Sequence, residues 1–127
     1  MKQNLTFRGK DAFMSEFHQE RYQSLIDADR TEDWDIYRQS LFYIISGNPV
    51  LFDRRDKIYD FEHHCLGSNV LRKTRELASG EIILLKLAIN LYNGNGFRNM
   101  DPWYIMIHLD LEMRYLALNS LRLRFHI

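Results

Sequence analysis

Lys86 interrupts "SGEIILLKLAINLYNGNG" (79–96), a run of leucine and isoleucine that otherwise reads as hydrophobic core, and it is the residue whose type and place most invite chemistry. On a helix, Lys86, Asn90 and Asn93 fall at i, i+4 and i+7, so a cation and two amides project from one narrow stripe with Ser79 at its amino end. Lining a cleft, such a stripe holds an anionic or amide-bearing ligand with few polar contacts in a mostly apolar pocket. At the rim of a bundle it is only a solvated edge, the lysine stem lying on apolar neighbours and its ammonium in water. A second cation would sharpen the first reading. Arg54, Arg55 and Lys57 are interleaved with Asp53 and Asp56, which favours pairing on the surface. Arg55 turned inward beside Lys86 would instead complete an anion site, because a guanidinium binds phosphate or carboxylate through two hydrogen bonds. The candidate ligand-binding set is therefore Arg55, Lys86, Asn90 and Asn93.

Other chemistry is less well supported by spacing. "DFEHHC" (60–65) gathers His63, His64 and Cys65, all competent metal ligands, but neighbours on a helix point about 100° apart and seldom share an ion. His18, His108 and His126 add no ligand spacing, so no metal or cofactor is expected. The basic run "RKTR" (72–75) has no interleaved aromatic residue, so nucleic acid alone is a poor partner. There is no nucleophile elbow, phosphate-cradling glycine loop or histidine–zinc motif. No catalytic residue is assigned. An enzyme acting on a phosphorylated or nucleotide substrate stays as the alternative, with Arg55 and Lys86 on phosphate and a carboxylate among Asp60, Glu62 and Glu81 as base.

Composition bounds these readings. The 127 residues are 46% hydrophobic and 27% charged, enough apolar material for one folded domain, 1–127. Seventeen basic and seventeen acidic side chains cancel, which argues against a protein that coats nucleic acid or an anionic membrane. One cysteine, Cys65, makes no internal bridge, and the first residues show no signal or targeting pattern, so the expected location is the cytoplasm. The longest apolar run is too short to span a bilayer.

The elements that must position the stripe are helical by pattern. Phe13, Met14, Phe17, Tyr22, Leu25 and Ile26 follow a helical period, after a head that is extended around residues 5–7. A second helix is predicted over 31–47, with Thr31 as its cap, Glu32 and Asp33 on the positive end of its dipole, Trp34 and Tyr37 on its face, and Gly47 ending it in the left-handed conformation ahead of Pro49. A short helix with Ile58, Phe61 and Cys65 inward is predicted next, closing near Gly67. The segment 79–93 is the central helix, capped by Ser79, begun by Glu81 and stopped by Gly94. Asp101 and Pro102 start the last helical stretch, broken near 108–110. The strict alternation over 107–115 and in "LRLRFHI" leaves a terminal strand or hairpin open. The fold expected is all-α, a compact bundle around a central apolar helix.

On "DIYRQSLFYIISGN", "RRDKIYDF", "SGEIILLKLAINLYNG" and the closing "ALNSLRLRF", the chain resembles a family of small bacterial proteins, known from low-GC Gram-positive bacteria and mobile elements and catalogued as a domain of unknown function. Members commonly carry Trp-Gln-Thr before the Ser-Gly, and arginine and tryptophan where this chain has Lys86 and Tyr92; here "RELA" precedes Ser79. The resemblance implies an all-helical fold and brings no activity with it. The function expected is that of a small non-enzymatic binding protein acting stoichiometrically, in the manner of a phage or mobile-element inhibitor of host defence, on a protein complex or an anionic nucleotide-like ligand. Aromatic and methionine-rich segments such as "DPWYIMIHL" suit self-association into a homo-oligomer.

Overall fold

Ser15 starts the first helix: its backbone is extended and its hydroxyl accepts from the His18 amide at 3.1 Å, relieving one of the free donors of the first turn. The computed structural model describes residues 12–127; the predicted extended head at 5–7 lies outside them. Helix α1 runs Glu16–Asp29 and ends in a left-handed Arg30. Helix α2, Ile36–Gly47, buries eight of its twelve residues and packs against α1, the short α3 (Pro49–Asp53), α6 (Ser79–Asn93) and α8 (Leu111–Phe125). One turn of helix, α4 (Arg55–Ile58), leads into an antiparallel pair, β1 (Tyr59–Asp60) and β2 (Cys65–Leu66), with Tyr59 opposite Leu66. Another single turn, α5 (Val70–Lys73), precedes α6, and α7 (Pro102–His108) precedes α8. The protein is all-α, with a single small hairpin among the described residues, and none of the described helices is long and apolar enough to cross a membrane.

Helix α6 has the bounds and the character read from the sequence. Ile83, Leu84, Leu85, Leu87, Ala88, Ile89 and Leu91 are buried, Lys86 and Asn90 are half-buried and Asn93 is exposed, so one polar edge remains on an otherwise enclosed helix. Gly94 (φ 78) takes the left-handed position and its amide bonds the Asn90 carbonyl at 2.7 Å. The last two helices also follow the sequence, since Leu109 is extended and Asp110 caps α8 through the Met113 amide at 2.8 Å.

Three details differ, although α2 does end at Gly47. Thr31 does not cap α2; its hydroxyl donates to Asp29 Oδ2 at 2.6 Å, and Asp35 caps instead, accepting from the Arg38 amide at 3.0 Å. Trp34 therefore precedes the helix, 69% exposed. Gly47 is not left-handed, because Asn48 turns the chain in extended conformation while its side chain caps α3, accepting from the amides of Val50 and Leu51, both at 3.0 Å. What Gly47 provides is room: a Cβ there would lie 2.3 Å from Leu116 Cδ1 and 3.1 Å from His18 Nε2. The helix predicted through 58–65 is instead the hairpin. Asp60 Oδ1 accepts from the amides of Glu62 and His63, a left-handed His64 (φ 57) completes the turn, and Cys65 faces outward. The alternating tail, in turn, is helical; among the described residues the strands lie mid-chain, not at the carboxyl terminus.

Where α1 meets α2, His18 is 2% exposed and fully engaged: Nδ1 accepts from the Met14 amide at 3.0 Å and Nε2 donates to the Tyr43 carbonyl at 2.9 Å. Both contacts suit one neutral tautomer. Burial is the main cause that lowers the His18 pKa to about 4. The unfolded chain then binds a proton that the folded one refuses. Stability from this group is complete above about pH 6.5 and falls progressively as the pH drops towards 4, by about 3 kcal/mol at most. Urea titrations at intervals between those pH values should show this slope, and it should flatten in His18→Phe.

Candidate functional site

The turn after α6 brings its loop back over the helix's first turns. There Lys86 lines a cavity of about 340 Å³ with Arg98, Ser79, Asn99, Tyr104 and the apolar side chains of Ile82, Ile83 and Met100. Ala78, extended in backbone, is the cap residue, and its amide donates to Glu81 Oε1 at 3.1 Å; Ser79 is the first residue of the helix rather than its cap. The cavity thus sits by the positive end of a fifteen-residue helix. The Lys86 ammonium lies 5.9 Å from the centroid of Phe97. No carboxylate lines the wall, and among the described residues neither Lys86 nor Arg98 forms an ion pair. Two cations, small polar groups and an apolar floor are what a compact anion with a less polar body requires.

Of the four residues singled out by spacing, Lys86 alone lines this cavity. Asn90 Nδ2 donates to the Asn95 carbonyl at 3.0 Å, and Asn93 Oδ1 accepts from the Asn95 amide at 2.9 Å, so the lower half of the stripe closes the turn after α6. Arg55 lies over the Phe52 ring, 4.3 Å from its centroid, and donates to the Phe52 carbonyl at 2.9 Å. Arg98 takes the place that the sequence reading gave to Arg55. Nothing in its spacing signals this, because only the return of the loop at 94–100 carries it there.

A second polar cluster was not foreseen. Asp29 and Asp35 are buried (4% and 2% exposed), and Arg38 sits between them, paired with Asp35 and 3.7 Å from Asp29. Arg38 Nε donates to the Tyr59 hydroxyl at 2.8 Å, and another of its nitrogens donates to the His64 carbonyl at 2.8 Å. The Tyr59 hydroxyl in turn donates to Asp29 Oδ1 at 2.8 Å, and His64 Nδ1 meets the same oxygen at 2.9 Å. Burial works against the Arg38 charge, but its bonds to Tyr59 and Asp35 outweigh it and raise the pKa further. Burial is also the largest cause raising the Tyr59 pKa, so the phenol stays protonated. With Asp29 fixing Nδ1, His64 Nε2 makes no hydrogen bond among the described residues, and the ring lines an open cleft of about 380 Å³ beside Trp34, Arg30 and Glu32. His63 turns to Asp60 at 2.9 Å, so the two histidines serve different carboxylates, and no group of three metal-ligating side chains forms among the described residues. The bond to His63 holds the Asp60 carboxyl below its usual range.

The geometry therefore defines an all-helical protein with a cation-lined cavity on its central helix and a buried carboxylate–arginine network under its hairpin. The chain belongs to a family of unknown function (DUF6075), which it matches over residues 9–126. No curated protein and no solved structure matches it.

Proposed function

We propose that this is a small non-enzymatic binding protein that holds an anionic, nucleotide-like ligand in the cavity of Lys86 and Arg98. The observation that carries the reading is the pairing of two cations, without a neutralising carboxylate, on the wall of one cavity at a helix amino end. The apolar floor and Tyr104 suit the less polar body of such a ligand. A stoichiometric cytoplasmic role, as a trap for a signalling nucleotide or as an inhibitor bound to a host defence complex of the kind phages and mobile elements target, fits a chain of this size with no catalytic motif.

Titration calorimetry with a panel of nucleoside mono-, di- and triphosphates tests the reading. Binding is expected for at least one of them, weakened by raised salt and reduced about tenfold or more by Lys86→Met and by Arg98→Met, the loss expected for one charge-assisted hydrogen bond. Equal affinity in the variants, or no binding by any member of the panel, sinks it. The alternative reading, an enzyme on a nucleotide substrate, draws support from the Asp29–His64 pair, whose ring lines the separate cleft of Arg30 and Trp34 and would serve there as a general base. Under that reading the same mixtures contain converted nucleotide, and conversion stops in His64→Gln.

A further inference from the structure

Between the amino ends of α1 and α8 and the corner where α2 meets α3 lies a further cavity, of about 310 Å³, which shares no residue with that of Lys86 and Arg98. Its wall carries charges of both signs. Arg21 comes from α1, its guanidinium 5.6 Å from the centroid of Phe17 and 5.5 Å from that of Phe52, and these two rings hold it in place. Asp110, the cap of α8, and Glu112 in its first turn supply two carboxylates. Although they border one cavity, these opposite charges do not neutralise one another, for among the described residues none of the three forms an ion pair.

Asn48 adds an unused donor. It lines the same wall, 6% exposed, with its side-chain oxygen occupied by the amides of Val50 and Leu51, while its Nδ2 has no acceptor among the described residues. A donor in so enclosed a place forgoes the hydrogen bond it makes in water, and the cavity is where an acceptor can reach it. His18 also borders the cavity but has both ring nitrogens engaged, so it offers a ligand nothing. A simple anion would meet two carboxylates here, and a simple cation would meet Arg21 and leave Asn48 unsatisfied. A ligand carrying both charges suits every group. We infer that this cavity binds a free α-amino acid with an apolar side chain, its carboxylate on Arg21 and Asn48 Nδ2 and its ammonium on Asp110 and Glu112. The side chain then lies against Met14 and Met113, whose flexible thioethers adapt to its shape. The volume is at the small end for ligand sites, which suits one amino acid rather than a peptide.

An NMR titration of the isotope-labelled full chain with leucine, N-acetylleucine and isoamylamine tests this, the second probe lacking the ammonium and the third the carboxylate. Leucine is expected to bind with a dissociation constant on the order of 1 mM or tighter, shifting the backbone amide of Gly47 and the side-chain amide of Asn48, and each truncated probe should bind about tenfold more weakly. Arg21→Met and Glu112→Gln should each weaken leucine about tenfold while leaving the remainder of the amide spectrum in place. No saturable shift with leucine on the order of 10 mM, a truncated probe that binds as well as leucine, unchanged affinity in either variant, or shifts that gather instead on Ile82 and Met100 around the other cavity overturns the inference.

Discussion

Arg38→Met is expected to destabilise the protein by about 3 kcal/mol, the range found when one partner is removed from a buried ion pair. Methionine keeps much of the stem's bulk, so the loss is of charge. What it strands are two carboxylates, Asp29 and Asp35, far more enclosed than Arg38 itself, whose side chain is 29% exposed. The His64 carbonyl and the Tyr59 hydroxyl lose a donor at the same time. Urea denaturation followed by circular dichroism gives the loss directly. A double-mutant cycle with Asp35→Asn should then show strong coupling, because the asparagine variant no longer has a charge to strand there. A change within 0.5 kcal/mol for Arg38→Met would mean that the network is solvated rather than buried.

Gly47→Val should cost a similar amount, about 3 kcal/mol, at the upper end of what overpacking causes in a filled core. The new Cβ falls 2.3 Å from Leu116 Cδ1, so this side chain, itself 2% exposed, must leave its place. His18 Nε2, at 3.1 Å and bonded to the Tyr43 carbonyl, is a further close neighbour that the new side chain crowds. Valine is the sharper probe, because alanine recovers about 1 kcal/mol of helix propensity relative to glycine and partly masks the clash. Pairing Gly47→Val with Leu116→Ala should restore part of the loss, which thermal melts of the two variants would show.

The helical architecture is legible in the sequence wherever a pattern was local. Ser79 to Asn93 could be bounded because Glu81 and Gly94 mark its two ends and its apolar residues leave one polar edge. The break between α7 and α8 was legible from Asp110, even though the alternating tail pointed to strands; the good helix formers of that segment prevailed. The hairpin was not legible. Ile58, Phe61 and Cys65 sit at helical spacing, and only the side-chain bonds of Asp60 within the turn, with Asp29 and Arg38 gripping His64 from two helices, select the extended form. The start of α2 was misplaced for a related reason. Thr31 and Asp35 are both competent caps, and Asp29 draws the threonine hydroxyl away.

The candidate site divides along the same line. Lys86 could be found because a lone cation in an apolar helix is visible in one dimension. Arg98 could not, since its place on the cavity wall depends on where a loop folds, and the aspartate–arginine–tyrosine–histidine cluster joins residues separated by as many as 35 positions. Spacing reports on what shares a helix face. It is silent on what tertiary closure brings together.

Asn48 has a consequence for how the molecule can move. One residue ends α2 and, through its side-chain oxygen, begins α3, so the two helices share an elbow with no spare backbone between them. A tilt of α2, which packs on α1 and α8, therefore reaches α3 through Asn48 and its two side-chain bonds.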